Sequence, residues 1–171
     1  GFAFSADDLS EQERTDLAAL AAVLGQGESS LLVRHLQYDR QLVNGVFAYG
    51  FEPKGPGLLM VGGTTDGARL RSAIDATIRS LFRVAAYGVS TDAVDRARGQ
   101  LLAEITFQNE TVQDEASRLA HFELLRGDWR LERRERDELG RVSSARLQAL
   151  AHRLVREARQ HVAVLLPEGS V

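Results

Sequence analysis

Four histidines are the first residues to test for chemistry, because zinc hydrolases bind their metal through neutral imidazoles and use a carboxylate to activate the bound water. His35 and Asp39 are four positions apart and would share one face of a helix. No third ligand stands at a recognisable spacing, and no H-x-x-H, H-E-x-x-H or H-x-x-E-H pattern occurs. We therefore predict no metal site and no catalytic residue in this chain. An independent metal enzyme that uses His35 and Asp39 is the alternative.

Other catalytic patterns are equally absent from the sequence. The serine pairs 29–30 and 143–144 stand at predicted helix starts, where capping accounts for them, and no G-x-S-x-G surrounds them. Gly62 and Gly63 are not followed by the lysine of a P-loop. The arginine-rich segment 130–141 is interleaved with acidic residues, so we interpret it as a solvated helix face.

Composition favours one domain spanning residues 1–171, because 44% hydrophobic residues in 171 can form a single core. The net charge of -3 gives no overall positive field, so we expect no nucleic-acid partner. The chain has no cysteine and no apolar run of about 20 residues, which argues against disulfides and a membrane span.

The ends of the sequence bear on its origin. It begins with Gly1 and its only methionine is Met60, so we expect a processed form or an excised segment. A lost export signal would leave no trace. The compartment therefore stays open between periplasm and cytoplasm.

Apolar residues recur at helical spacing in five segments of the sequence. Glycines mark predicted C-terminal ends, and serines or threonines mark predicted N-terminal caps. The segments are residues 15–25, a helix starting at Ser29 or Ser30 with an apolar stripe of Leu31, Leu32 and Leu36, a helix from Leu70 closed by Gly88, a long helix from Ser90 or Thr91 to Gly127 with a break near 108–109, and a helix capped by Ser143.

Strand patterns separate these helices. Phe47, Tyr49 and Phe51 alternate with smaller residues, 52–57 is rich in proline and glycine, and 58–64 is apolar, which predicts an antiparallel hairpin. Residues 161–167 read as a buried strand. Because strands and helices are segregated, we predict an α+β fold in which helices pack on one face of a mostly antiparallel sheet.

Four segments in order resemble the insulinase, pitrilysin and mitochondrial-processing-peptidase family of zinc metallopeptidases. The first is "LAALAAVLGQGESSLLVRHLQYDRQLVNGVFAY", similar to the family's L-G-x-G-x-S-S-R-L helix end with the polar loop and strand that follow. The others are "GVSTDAVDRARGQLLAEI", "LRGDW" with "RVSSARLQALAHRLV", and the terminal "VAVLLPE". The resemblance covers nearly the whole chain and implies the same α+β fold.

The resemblance implies a non-catalytic role, because the family's catalytic domain carries H-x-x-E-H and this chain does not. Many second domains of the family offer an arginine and, seven residues later, a tyrosine that contact substrate. Alignment on Ser29 and Ser30 places these at Gln37 and Asn44 here, so both are candidate substrate-proximal residues. Gln37 cannot supply a guanidinium charge, although Asn44 can donate a hydrogen bond.

Two functions follow from the resemblance. In the first, the chain is a domain that is inactive alone and helps to enclose a peptide, which is cleaved at a zinc-bearing H-x-x-E-H domain on the same chain or on a separate subunit. In the second, it is a structural or interaction module derived from a processing peptidase and has no proteolytic role. An apolar surface exposed by excision would also let the isolated domain self-associate.

Overall fold

The computed structural model describes residues 1–53, 57–107, 111–156 and 160–166. Four strands and six α-helices lie in this part of the chain, together with one π-helix, called the wide helix below, and a short 3-10 turn. In chain order they are β1 (Phe2–Ala6), α1 (Glu11–Gly25), the wide helix (Val33–Asp39), β2 (Gly45–Phe51), β3 (Gly57–Thr64), the 3-10 turn (Gly67–Arg69), α2 (Leu70–Tyr87), α3 (Thr91–Phe107), α4 (Val112–Arg126), α5 (Leu131–Leu139), α6 (Ser144–Leu154) and β4 (Gln160–Val162).

The strands form one sheet in the order β2-β3-β1-β4, and every pairing is antiparallel. The predicted hairpin is confirmed, with Phe47 opposite Gly62 and Phe51 opposite Leu58. Residues 54–56 of its predicted turn lie outside the described residues.

Helices cover one face of this sheet, as predicted. Phe4, Leu59 and Val61 point into the core with at most 1% of their surface exposed. α1 packs on β2 and β3, while α6 reaches β1 and α2 packs on α6. Buried side chains of these strands and helices form one contiguous cluster. The fold is therefore α+β, with an antiparallel sheet and helices on one side.

β1 is an inner strand of the sheet that the sequence pattern did not predict. Phe2 and Phe4 alternate with Ala3 and Ser5, but a run of five residues at a chain end gives only two periods of the pattern. Both neighbours of β1 are distant in sequence, since Phe4 pairs with Leu59 on one side and with Gln160 on the other. The strand is specified by tertiary pairing more than by local pattern.

The predicted buried strand at 161–167 is wrong in length and burial. β4 covers only Gln160–Val162, it lies at the sheet edge, and Leu165 is 99% exposed. Gly1 and Ala163 extend its ladder by one pair: the terminal amine of Gly1 donates to the Ala163 carbonyl over 2.7 Å, and the Ala163 amide donates to the Gly1 carbonyl over 2.9 Å. The apolar run had the composition of a core strand, but no described helix covers it; Pro167 lies outside the described residues.

The helix ends mostly follow the predicted caps. The hydroxyl of Ser90 accepts from the Ala93 amide, that of Ser143 accepts from the Arg146 amide, and Gly88 and Gly127 close α2 and α4 with positive φ. Ser10 adds a capping box with Glu13 that starts α1 earlier than predicted. The predicted break at 108–109 lies outside the described residues.

The second helix starts differently from the prediction. The Ser30 hydroxyl donates to the carbonyl of Gly27 over 2.7 Å, so it closes the preceding turn instead of capping a helix. The segment then widens into the π form over Val33–Asp39. The predicted apolar stripe is confirmed for Leu32 and Leu36, which are fully buried.

Gly25 fixes how α1 crosses the sheet. A Cβ on this residue would lie 2.3 Å from the backbone nitrogen of Ala48 and 2.6 Å from the carbonyl carbon of Phe47. Only glycine lets the end of α1 approach β2 this closely. This contact sets where the chain leaves α1 and enters the polar segment that holds the candidate site residues.

Candidate functional site

Gln37 lies in the wide helix, with a half-buried side chain. Buried Val33 and Leu36 hold this helix against the core. After the wide helix the chain makes a turn. The Leu42 amide closes this turn by donating to the Leu36 carbonyl over 2.8 Å, and Gln41 has a φ of 50°. The Gln37 side chain makes no hydrogen bond to the described residues, so its amide is free to contact a ligand.

Asn44 lies directly before β2, and its backbone amide donates to the Thr64 carbonyl over 2.8 Å. Its side chain is already engaged within the chain. The amide nitrogen donates to Asp66 Oδ1 over 3.3 Å, and the amide oxygen accepts from Arg69 Nη2 over 3.0 Å. The Asn44 side chain is therefore engaged in a polar cluster, whereas the Gln37 side chain has no hydrogen-bond partner among the described residues.

Arg69 is the cation of that cluster, and the sequence analysis missed it. It donates to the carboxylate of Asp66, to Asn44 and to the carbonyl of Gln41. The guanidinium of Arg69 lowers the pKa of Asp66, with a further contribution from the Asn44 amide. The available signal was the i, i+3 spacing of Asp66 and Arg69 across a short turn. A guanidinium thus lies beside Asn44, but its charge is already balanced.

His35 and Asp39 line one groove beside α2, so the structure brings this predicted pair to the same surface. His121, His152 and His161 lie on α4, α6 and β4. Within residues 1–53, 57–107, 111–156 and 160–166, no group of three histidine, aspartate or glutamate side chains could hold a metal ion. These donors do not fit a zinc site.

A row of aromatic side chains lies on the face of the sheet opposite the helices. Phe47, Tyr49 and Phe51 of the edge strand β2 are 50%, 41% and 50% exposed. The rings of Phe47 and Tyr49 stack with centroids 6.0 Å apart, and a Cβ at Gly62 would collide with the Phe47 ring. Exposed apolar patches of this kind typically mark contact surfaces.

Charged side chains of α4 and α5 pair with other elements, so the interpretation of residues 130–141 as a solvated face was only partly right. Arg118 Nε donates to Glu132 over 3.1 Å, and both side chains are at most 17% exposed. Arg126 bridges Glu11 and Glu52 at 2.9 and 3.1 Å, which ties α4 to α1 and the end of β2. This network has a structural role.

Glu135 of α5 faces the same network. Burial raises its pKa, while the guanidinium groups of Arg126 and Arg118 oppose that shift.

No helix among the described residues combines the length and the apolar composition that a bilayer crossing requires.

Comparison with known proteins agrees with this geometry. A curated relative, the uncharacterized zinc protease YmxG of Bacillus subtilis, is 25% identical over 156 residues; these are 91% of this chain and only 38% of the relative. The chain thus spans well under half of that protein.

Solved structures share the fold. The peptidase M16 inactive domain from Pseudomonas fluorescens superposes with a TM-score of 0.81 at 15% identity, over 93% of this chain and 38% of that one. An inactive peptidase domain from Bordetella parapertussis gives a TM-score of 0.80 at 18% identity, over 94% and 88% of the two chains.

The sequence model described as "Peptidase M16 inactive domain" matches residues 1–101. This match covers β1 through most of α3, including the Gly25 crossing and the polar segment that follows it. The chain therefore belongs to the peptidase M16 inactive-domain family.

Proposed function

We propose that this chain is the non-catalytic domain of a zinc metallopeptidase, and that it helps to enclose a peptide hydrolysed at an H-x-x-E-H site on a partner domain. One observation carries the proposal: a member of an inactive peptidase-domain family offers, within its described residues, no group of three side chains that could bind zinc. The metal and the reacting water then belong to the partner, which lies on the same polypeptide or on a separate subunit.

The contribution of this domain would be shape and removal of water. Closing an active site excludes solvent and strengthens the electrostatic interactions inside it. The aromatic row of Phe47, Tyr49 and Phe51 supports this role, because it gives the open face of the sheet an apolar surface that a partner domain or a peptide can cover. The relative's greater length supports a partner on the same polypeptide.

Gln37 is the better of the two candidate substrate contacts. Its amide has no partner among the described residues, whereas the Asn44 amide is held by Asp66 and Arg69. A neutral amide can donate to and accept from the backbone of an extended peptide. Gln37 would then orient the peptide, and the Asn44 cluster would hold the segment that follows the wide helix, through Arg69 and the Gln41 carbonyl.

The test compares peptide cleavage by the catalytic partner alone, by this chain alone and by the two together. We expect cleavage to rise when this chain is added and to stop on chelation of the partner's metal. Unchanged partner activity with and without the chain would reject the proposal. Circular dichroism of each sample shows that the compared proteins are folded.

A matched pair of variants tests the contact at Gln37. Gln37→Ala should lower kcat/KM of the assembled pair by about fivefold, since one neutral hydrogen bond contributes about 1 kcal/mol. Gln113→Ala, on an exposed position of α4, should leave kcat/KM unchanged. Equal activity of the Gln37→Ala and Gln113→Ala pairs would remove Gln37 from the substrate site.

The second candidate function is a structural module with no proteolytic role. It is favoured by the Asn44 cluster, because a side chain engaged by Asp66 and Arg69 serves the fold and has little left for a substrate. Under this function the chain would assemble stably with larger proteins, yet cleavage by any M16 partner would be the same with and without it.

A further inference from the structure

The groove that His35 and Asp39 line has a volume of about 680 Å³ and is lined by neither Gln37 nor Asn44. Its walls are the wide helix, the C-terminal half of α2 and the start of α3. Pockets of this volume bind small ligands or short segments of a larger ligand. Five arginines line it: Arg34, Arg40, Arg79, Arg83 and Arg96.

These five side chains have no ion-pair or hydrogen-bond partner among the described residues. Several other arginines of the described chain pair with carboxylates; Arg126, for example, bridges two of them. Asp39 is the one carboxylate among the described residues that line the groove. Five cations around one cavity with a single counter-charge repel one another, and a bound anion relieves that repulsion.

The groove also offers an apolar floor and a helix terminus. Leu31, Ala76, Val84 and Val89 contribute apolar atoms to its lining. α3 begins here, and Ser90 caps it by accepting from the Ala93 amide. The positive end of a helix dipole therefore adds to the field of the five arginines.

We propose that this arginine groove binds an acidic peptide segment, one in which carboxylates alternate with apolar or small side chains. Guanidinium groups recognise carboxylates through charge-assisted, often bidentate hydrogen bonds. The apolar floor fits the side chains that lie between the carboxylates, and this favours a peptide over a sugar-phosphate backbone.

Binding is measured on this chain by fluorescence anisotropy with a labelled peptide that carries glutamates spaced by leucine and serine. A peptide of the same length with glutamine in place of every glutamate is the control. We expect saturable binding of the acidic peptide alone, weakening as salt rises because exposed charges are screened. Equal binding of both peptides, or tighter binding of a single-stranded RNA, would overturn the proposal.

A charge-matched pair of variants locates the site. The double variant Arg79→Glu with Arg83→Glu should weaken peptide binding by about tenfold or more, since it removes two charge-assisted contacts and adds repulsion. Arg71→Glu with Arg134→Glu changes the net charge by the same amount at exposed positions that do not line the groove. This control should bind within about twofold of the unmodified chain, because only screened long-range charge has changed.

A third variant guards against misfolding of α2. Arg34→Ala with Arg96→Ala changes the other two walls of the groove and should also weaken binding by several-fold. Circular dichroism and thermal melts confirm that each variant is folded. Equal weakening by the groove and control variants would show a general charge effect and refute a defined site.

Discussion

Replacing Gly25 by alanine probes the contact that positions α1 on the sheet. The new Cβ would meet the Ala48 nitrogen at 2.3 Å, the Phe47 carbonyl carbon at 2.6 Å and the Ala48 Cβ at 2.9 Å. Carbon atoms normally pack at about 3.5–4.0 Å, so α1 and β2 must separate by about 1 Å or more. Two of these three atoms are backbone, and no rotamer change can relieve the overlap.

The expected cost follows from that separation. Overpacking of a well-packed core costs about 1–3 kcal/mol, and a smaller unfolded-state entropy returns about 0.4–1 kcal/mol. We expect Gly25→Ala to lower the free energy of unfolding by about 1–2 kcal/mol. For a domain of this size the melting temperature would fall by roughly 2–8 °C.

Gly99→Ala is the matched control, because it makes the same chemical change in α3 where no atom lies within 4 Å of the added Cβ. Replacing a glycine inside a helix by alanine should raise the free energy of unfolding by about 0.5–1 kcal/mol. Urea unfolding followed by circular dichroism measures both variants. If Gly25→Ala is as stable as Gly99→Ala, the close crossing of α1 over β2 is wrong.

Four further variants test the charge network and the first helix cap by urea unfolding. Arg126→Ala should lower the free energy of unfolding by about 1–2 kcal/mol because partly buried Glu52 loses one guanidinium partner and keeps Arg14, whereas Arg130→Ala, at a 66% exposed side chain, should change it by less than about 0.5 kcal/mol. Similar effects of these two variants would argue against the bridge. Ser10→Ala should cost about 1 kcal/mol through loss of the capping box, and no loss would show that the box is absent in solution. The pKa of Glu135 is raised by burial, so above its ordinary value of 4.5 the unfolded state releases the proton first and stability falls as pH rises; Glu135→Gln should lack this fall, and parallel pH profiles of the two proteins would contradict it.

The local sequence pattern correctly predicted those elements that are determined by residues close together in the chain. The hairpin of β2 and β3 follows from alternation around a proline and glycine-rich turn, and the ends of α2 and α4 follow from Gly88 and Gly127. β1 and β4 depend on pairings across more than fifty residues, such as Phe4 with Leu59. Composition alone misled at β4, because an apolar run does not reveal whether a helix covers it.

The sequence predicted which positions belong to the candidate site, but it did not predict the contacts that their side chains make. Motif alignment selected Gln37 and Asn44, and whether either residue contacts substrate is still a prediction. The engagement of Asn44 by Arg69 depends on how the end of the β2–β3 hairpin meets the 3-10 turn. The arginine groove also escaped the sequence analysis, since its cations come from three separate elements and the net charge of -3 conceals them.

The most direct test of the central claim, that the reactive centre lies outside this chain, is the zinc content and peptide-cleaving activity of the purified chain. Zinc is quantified after equilibration with the metal, and cleavage is followed with and without a chelator. We expect no stoichiometric zinc and no chelator-sensitive cleavage. One tightly held zinc per chain, together with cleavage that the chelator abolishes, would contradict it.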